Sequence, residues 1–164
     1  AREKLSPFVG LADICFGLEP IQLLSESGED LKDELGLKRP YENKAVLEKV
    51  LKDLAETYSL RGLAFTQREM AHSSDYLLKT YLYQDCVLKK KKKESIQVLD
   101  RVGTGDAFTA GVIFGYLQDK APQGILDLGM ASFQFKHTIE GDVNVISQSD
   151  IDSLLKKRTF DIKR

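Results

Sequence analysis

The sequence has no tryptophan, and only two of its 164 residues are cysteines. Cys15 and Cys86 stand alone in apolar runs, at a spacing that supports neither a disulfide framework nor a metal site. We therefore expect two buried, reduced thiols and a cytoplasmic protein.

Long hydrophobic runs and an excess of charge are also missing. No apolar run approaches the roughly 20 residues of a membrane helix, and no signal-peptide pattern is present. The formal net charge of −1 gives no reason to expect nucleic acid as a partner. The length predicts a single domain, residues 1–164, and because the chain starts with Ala1 rather than methionine we expect part of a longer protein.

Helix and strand patterns alternate along the chain. The clearest helix is predicted from Asn43, a good N-cap, to about Tyr58, with apolar residues at three- and four-residue steps. A buried strand is predicted directly after it, over residues 62–66. A helix that leads through a short turn into a strand is typical of α/β repeats and favours a mostly parallel sheet.

Shorter elements are predicted on both sides of this pair. They are a helix to about Val9, a strand over residues 12–17, helices over 19–26 and 29–35, a helix from about 107 to Gln118, a largely buried helix from Pro122, and a final helix capped by Ser149 and ending near Leu155. The basic C-terminal tail is expected to be loose.

Residues 76–99 differ because they are aromatic and β-prone. Strands predicted over 76–83, 86–88 and 96–99 indicate an antiparallel edge of the sheet. The five lysines Lys89 to Lys93 lie between the last two. Because like charges repel and need water, we expect a solvated hairpin loop there, with a phosphate- or RNA-binding patch as the alternative.

Residues 100–108, DRVGTGDAF, carry the most chemical information. Gly103 and Gly105 flank Thr104 where a predicted strand gives way to a helix, so backbone N–H groups can converge there without interference from Cβ atoms. The helix macrodipole adds positive potential, which favours a bound anion. Asp106 places a carboxylate beside that anion, a combination that suggests phosphoryl transfer. A glycine-flanked turn is also a common structural feature, and this one is neither a Walker sequence nor a dinucleotide fingerprint.

The longer string is more specific. DRVGTGDAFTAG, residues 100–111, resembles the C-terminal signature of the ribokinase-like (phosphofructokinase-B type) carbohydrate kinases, Asp-Thr-x-Gly-Ala-Gly-Asp-Ala-Phe-x-Ala-Gly, and departs from it at Arg101 and Thr104. Residues 62–73 and FKHTIEGD, residues 135–142, are similar to the 2-keto-3-deoxygluconate kinases of that family. The resemblance covers nearly the whole chain as the C-terminal, nucleotide-binding part of such an enzyme. The family's N-terminal half, with its sugar contacts and lid, is absent.

The resemblance implies a ribokinase-like three-layer α/β/α fold, with a mostly parallel sheet and an antiparallel edge. It also implies transfer of the γ-phosphoryl group of ATP to a hydroxyl of a keto-sugar acid, 2-keto-3-deoxygluconate first. The anion hole would consist of the backbone amides of Val102, Gly103, Thr104 and Gly105. Asp106 would be the catalytic base. Because a helix N-terminus stabilises an ionised carboxylate, Asp106 would chiefly orient the hydroxyl and take its proton late.

Further assignments follow from the same resemblance. Thr66 and Arg68 match the beginning of the nucleotide cleft, and Ser132 and His137 would border the adenine side, although His137 fits equally well as a polar residue at a helix end. The implied cofactors are ATP and Mg²⁺, with a monovalent cation beside the Asp100 carbonyl in some members. Dimerisation through the lid is common in the family, which implies a homodimer for the intact protein.

One departure concerns the metal. The family often carries Asn-x-x-Glu after the strand that corresponds to residues 13–17, where it helps to place Mg²⁺ and phosphates, but residues 17–21 here read GLEPI. Glu19 either substitutes or is a carboxylate at a helix start, and we assign no metal ligand. The alternatives to the keto-sugar acid kinase are a kinase for another hexose or a nucleoside, and a non-catalytic member or fragment that binds nucleotide or a partner. The 164-residue segment alone is expected to be inactive.

Overall fold

The computed structural model describes residues 2–72 and 75–157, without the side chains of residues 71, 72, 93–95 and 157. The elements within these residues are α1 (Arg2–Val9), β1 (Ile14–Phe16), α2 (Leu31–Glu34), α3 (Lys44–Tyr58), β2 (Gly62–His72), β3 (Asp75–Gln84), β4 (Val87–Gln97), α4 (Thr104–Leu117), α5 (Pro122–Lys136) and α6 (Gln148–Lys157). The predicted loose tail lies mostly outside the described residues.

Helix α3 confirms the strongest periodicity of the sequence. The side chain of Asn43 caps it by accepting a hydrogen bond from the backbone N–H of Val46 at 3.2 Å. The buried face consists of Leu47, Val50, Leu51 and Leu54. Ser59, in the left-handed conformation, ends the helix and turns the chain into β2.

The strands form one sheet in the order β1-β2-β3-β4. Strand β1 pairs with β2 in parallel, with Ile14 opposite Gly62, and α3 lies in the connection between them. Strands β3 and β4 are joined by two residues, Asp85 and Cys86, both at positive φ, and so short a connection requires antiparallel strands. The α/β class with an antiparallel edge is confirmed, and the described part of the sheet is mixed.

The prediction of a lysine-rich hairpin loop is wrong, because residues 89–93 lie inside β4. Exposure alternates with the period of a strand: Lys89 and Lys91 are half-buried, whereas Lys90 and Lys92 are exposed. The Lys91 ammonium forms an ion pair with Asp127 of α5. Alternation sends successive ammonium groups to opposite faces of the sheet, which relieves the repulsion on which the loop prediction rested.

Two helix predictions also need correction. Residues 19–26 form no helix, since Leu24 makes an isolated antiparallel bridge to Asp30 and this excludes helical hydrogen bonding there. Helix α6 is capped by Ser147 rather than Ser149: the Ser147 N–H donates to the Asp150 carboxylate at 2.8 Å, as in a capping box.

The prediction that both cysteines are buried is wrong. Cys86 is exposed because it occupies the tight turn between β3 and β4, and Cys15 in β1 is half-buried. Burial raises the pKa of the Cys15 thiol.

The chain divides into two compact units. The first comprises residues 1–65 and 81–88. Its core contains three aromatic rings, with Phe65 stacked on Tyr81 at 4.6 Å between ring centres and Tyr41 edge-on to both. Around them pack the buried leucines of α3.

The second unit comprises residues 66–80 and 89–164 and carries the glycine-rich stretch. Helices α4 and α5 pack closely in it, because an added Cβ at Gly111 or Gly129 would lie within 3.0 Å of atoms of the facing helix. Ile151 of α6 joins Leu128 and Ala131 of α5 in a small apolar cluster. In the described residues, no helix combines the length and apolar character needed to cross a membrane.

Candidate active site

The glycine-rich turn lies between β4 and α4. Gly103 stands at the N-cap of α4 with φ 69°, a conformation that glycine adopts without the penalty other residues incur. Space also requires glycine, because an added Cβ would lie 2.9 Å from Oδ1 and 3.0 Å from the carbonyl oxygen of Asp142. Both the backbone conformation and the lack of space for a side chain therefore require glycine at position 103.

Asp100 fixes the shape of the turn with both of its carboxylate oxygens. Oδ1 accepts hydrogen bonds from the backbone N–H groups of Arg101 at 2.5 Å and Val102 at 3.1 Å. Oδ2 accepts from the N–H of Gly141 at 2.8 Å. These amides, that of Val102 first, lower the pKa of the Asp100 carboxyl, and the positive charge of Lys136 adds to the effect.

Two of the four backbone amides predicted for the anion hole, those of residues 102–105, already have hydrogen-bond acceptors. The Val102 amide is committed to Asp100, and the Thr104 amide donates to the Arg101 carbonyl at 3.4 Å. In the part of the chain that the structure describes, the N–H groups of Gly103, Gly105 and Asp106 have no hydrogen-bond acceptor. Three of the four backbone N–H groups from Gly103 to Asp106 thus offer donors at the start of α4, and Asp106 presents an exposed carboxylate in the same turn.

Arg101, which departs from the family signature, lies beside this turn. Its guanidinium packs over the ring of Tyr76, 4.8 Å from the ring centre, and donates a hydrogen bond to the Tyr76 hydroxyl. The side chain is exposed, so a positive charge borders the turn in a fixed position.

Lys136, the last residue of α5, is completely buried. Its Nζ donates to the carbonyl oxygens of Ile139 at 3.0 Å and Gly141 at 2.5 Å. Gly141 is thus held at its N–H by Asp100 and at its carbonyl by Lys136. Lys136 lies within FKHTIEGD, but its burial could not be predicted, since nothing in the neighbouring sequence indicates that the ammonium points inward.

His137 is also completely buried. Nδ1 lies 2.6 Å from the carbonyl oxygen of Phe133, which can only accept, so Nδ1 carries a proton. Nε2 lies 2.8 Å from Nη1 of Arg68, which can only donate, so the imidazole is neutral. Burial lowers the pKa of His137, and the neighbouring charges of Arg68, Arg101 and Lys136 lower it further.

The backbone of His137 supports the turn as well, because its carbonyl accepts from the N–H groups of Leu99 at 2.8 Å and Asp100 at 3.3 Å. Both ring nitrogens are engaged, so the geometry favours a polar residue at a helix end over a direct nucleotide contact. Of the four residues predicted for the nucleotide, Arg68 and His137 are brought together. Thr66 is half-buried in β2, and Ser132 is buried against Gly111 of α4, where the helices pack.

Glu19, in the first unit, does not start a helix. Its carboxylate forms an ion pair with Arg39 and accepts a hydrogen bond from the Tyr41 hydroxyl. Burial alone would raise the pKa of Glu19, but these two partners outweigh it and the pKa falls. Among the described residues, no three or more histidine, cysteine, aspartate and glutamate side chains are grouped so that they could hold a metal ion.

The chain has the ribokinase-like α/β fold of the PfkB carbohydrate kinases. A 2-dehydro-3-deoxygluconokinase from Thermotoga maritima matches with a TM-score of 0.76 and 24% identity over 94% of this chain and 44% of its own. A proposed 2-keto-3-deoxygluconate kinase from Enterococcus faecalis matches with a TM-score of 0.76 and 26% identity over 99% of this chain and 46% of its own. A PfkB family carbohydrate kinase from Listeria grayi matches with a TM-score of 0.73 and 20% identity over 94% of this chain and 44% of its own.

The predicted resemblance to these kinases is thereby confirmed in three dimensions. The chain spans less than half the length of each of these three structures. Scans of the sequence against protein-family models and curated proteins find no significant match.

Proposed function

We propose that the intact protein, meaning the full-length product in which this chain occurs, is an ATP-dependent sugar kinase whose acceptor is a keto-sugar acid, 2-keto-3-deoxygluconate first. The observation that carries the proposal is the exposed Asp106 carboxylate beside the N–H groups of Gly103 and Gly105 at the start of α4, for which the described residues provide no acceptor. The choice of acceptor rests on the names of the similar structures from Thermotoga maritima and Enterococcus faecalis.

In this reaction the acceptor hydroxyl oxygen forms a bond to the γ-phosphorus of ATP, the bond from that phosphorus to the bridging oxygen breaks, and ADP leaves. The hydroxyl proton passes to the Asp106 carboxylate. Negative charge on the transferred group faces the amides of Gly103, Gly105 and Asp106, which are fixed before the reaction and need no reorganisation. Since the transition state is loose, Asp106 mainly orients the hydroxyl.

Mg²⁺ would reach such a site with the nucleotide phosphates, the usual mode of Mg²⁺ binding in kinases. We assign no protein ligand to it. The nucleotide itself would lie near a cavity of about 500 Å³ that is lined by Gln97, Val98, Leu99 and Thr138, next to the strand that leads into the turn.

The test is a coupled ADP-release assay of the intact protein with 2-keto-3-deoxygluconate, a neutral hexose, ribose and a nucleoside as acceptors. Asp106→Asn should lower kcat by about 10²–10⁴-fold, the usual contribution of a general base, with little change in KM. Asp119→Asn, an exposed aspartate beyond the end of α4, is the matched control and should retain full activity. A loss below about tenfold in Asp106→Asn would remove Asp106 from its assigned role.

A nucleotide-binding protein without kinase activity is the second candidate. It is favoured by Glu19, the carboxylate nearest to the missing Asn-x-x-Glu pattern, which is committed to Arg39 and Tyr41. Calorimetric binding of ATP without phosphorylation of any acceptor would select this candidate.

A further inference from the structure

Lys136 provides a buried positive charge next to the candidate active site. Its exposed fraction is 0%, and its ammonium contacts two backbone carbonyl oxygens, those of Ile139 and Gly141. No carboxylate oxygen of the described residues lies close enough to form an ion pair with it. Burying an ammonium is expensive unless its surroundings supply compensating oxygens, so the 136–141 segment is built around a cation.

The positive charge of Lys136 also stabilises the glycine-rich turn that Asp100 shapes. Asp100 lies on the other side of Gly141, holding its N–H at 2.8 Å, and the Lys136 charge lowers the pKa of this carboxyl. The Lys136 side chain also reaches the turn, since its Cε lies 3.3 Å from the position of an added Cβ on Gly103. The cation therefore lies among the carbonyls, the carboxylate and the glycine that together shape the anion-binding turn.

An ammonium group and a free monovalent cation satisfy such oxygens in the same way, because both carry one positive charge and bind carbonyl oxygens at about 2.7–3 Å. The resemblance to the kinase family implies a monovalent cation near Asp100. The residues present do not leave room for one at Gly141, because the carbonyl oxygen of Gly141 is already bound to Nζ at 2.5 Å.

We propose that Lys136 is a tethered replacement for a monovalent cation: its ammonium holds the 139–141 segment against the Asp100 turn, and the protein needs no added K⁺ to keep the turn in place. Lys136 is a positioning residue in this proposal, since it acts through Gly141 and Asp100 and touches no reacting atom. Only the activity measurement below rests on the proposed kinase function.

The experiment compares native intact protein with Lys136→Ala in KCl, NH₄Cl and tetramethylammonium chloride at equal ionic strength. The native melting temperature should be the same in all three salts. The variant should melt lower in tetramethylammonium chloride and regain at least ~3 °C in KCl or NH₄Cl, because a small cation can enter the vacated space whereas tetramethylammonium cannot. Lys136→Ser is the second variant with a vacated site, for use if Lys136→Ala does not fold.

Lys32→Ala is the matched control, because Lys32 is also buried and donates to a backbone carbonyl, that of Ile21. Lys32 differs from Lys136 in that it has a carboxylate partner, Asp30. Asp30 also forms an ion pair with Arg2 at 3.1 Å, so it would still have a positively charged partner in Lys32→Ala. This variant should be less stable in every salt and show no preference for K⁺ or NH₄⁺.

The activity measurement follows kcat of the same proteins. Lys136→Ala should lose about tenfold in tetramethylammonium chloride, less than the 10²–10³-fold that loss of a direct anion-hole donor costs, and recover in KCl. Equal melting of the variants in all salts, or a K⁺-specific rise in melting temperature of the native protein, would overturn the proposal. If no acceptor is phosphorylated, the proposed function fails, while the melting temperatures still decide the role of Lys136.

Discussion

At the scale of single residues, Gly103 supports the sharpest stability prediction. Its φ of 69° strains any other residue, and an added Cβ would lie 2.9 Å from an oxygen of Asp142. Gly36 isolates the first effect, because it has a similar φ of 64° with no atom within 4 Å of an added Cβ. We expect Gly103→Ala to lower the free energy of unfolding by about 1–3 kcal/mol more than Gly36→Ala, the size of an overpacking penalty.

Urea unfolding of the two variants of the intact protein measures this difference. Equal losses would mean that the contact with Asp142 yields without a penalty, and the turn would then be specified by φ alone.

His137 makes stability depend on pH. Its folded pKa lies below its ordinary value of about 6.5, so as pH falls through 6.5 the unfolded chain binds a proton that the folded chain does not. The contribution of His137 to the free energy of unfolding should therefore be constant above this pH. Below it, this contribution should decrease with a slope of at most about 1.4 kcal/mol per pH unit. The positive charges of Arg68, Arg101 and Lys136 oppose protonation of His137 in the folded state.

The comparison that isolates this effect is native protein against His137→Gln, unfolded in urea between about pH 5 and 7.5. All other residues are the same in the two proteins, so their contributions cancel in the difference. The stability advantage of the native protein should shrink as pH decreases. Parallel stability curves would show that His137 binds a proton as readily in the folded state as in the unfolded chain, which contradicts the prediction.

Only some features of the candidate site could be predicted from the sequence. The glycine-rich turn and the carboxylate of Asp106 beside it could be predicted because they lie in one short stretch of sequence. The roles of Lys136 and His137 were not, because they depend on partners far away in the chain: Arg68 is 69 residues from His137, and Asp100 is 41 residues from Gly141. Local pattern carries no information about such pairs.

At the scale of secondary structure, close packing of α4 against α5 is set by glycines. An added Cβ at Gly129 would lie 2.8 Å from a methyl carbon of Val112 and 2.9 Å from the ring of Phe108. Gly129→Ala should destabilise the protein by about 1–3 kcal/mol, because the helices must separate or the ring must leave its rotamer. Thermal or urea unfolding of the intact protein provides the measurement.

Gly124, in the same helix, is the matched control. The nearest atom to an added Cβ there is in Lys120, at 3.4 Å, so alanine fits. Gly124→Ala should be neutral or stabilise by up to about 1 kcal/mol, since alanine is the better helix former. A similar loss in both variants would indicate a general intolerance of α5 to substitution rather than close packing at Gly129.

The helices and strands differed in how accurately the sequence predicted them. Helix α3 has a strong apolar period and a side-chain cap, and the sequence predicted both ends to within a residue. The β3–β4 turn lies where the strands predicted over 76–83 and 86–88 leave a gap, although Asp85 and Cys86 adopt positive φ without a glycine. The adjoining lysines then suggested a loop, although pairing with β3 and the ion pair from Lys91 to Asp127 stabilise them as a strand.

At the scale of the whole molecule, the α/β class followed from the order of helices and strands, because a helix between two strands already favours parallel pairing. The division into two compact units could not be predicted, since β2 and β3 each contribute residues to both units and no break in composition marks the boundary. Hydrophobic periodicity identifies elements, but the assignment of one strand to two cores depends on contacts that only the folded chain defines.

The last prediction concerns the 164-residue chain on its own. The described residues supply the Asp106 carboxylate and the turn that we propose binds an anion, and the similar structures are more than twice as long as the part that this chain matches. Much of the rate enhancement in such a reaction comes from holding the acceptor in line with the phosphoryl group. A catalytic base without a bound acceptor provides none of this enhancement. We therefore expect purified 1–164, shown to be folded by circular dichroism, to phosphorylate 2-keto-3-deoxygluconate at less than about 10⁻³ of the rate of the intact protein. Turnover within about tenfold of the intact protein, abolished by Asp106→Asn, would instead show that the acceptor site lies within these residues.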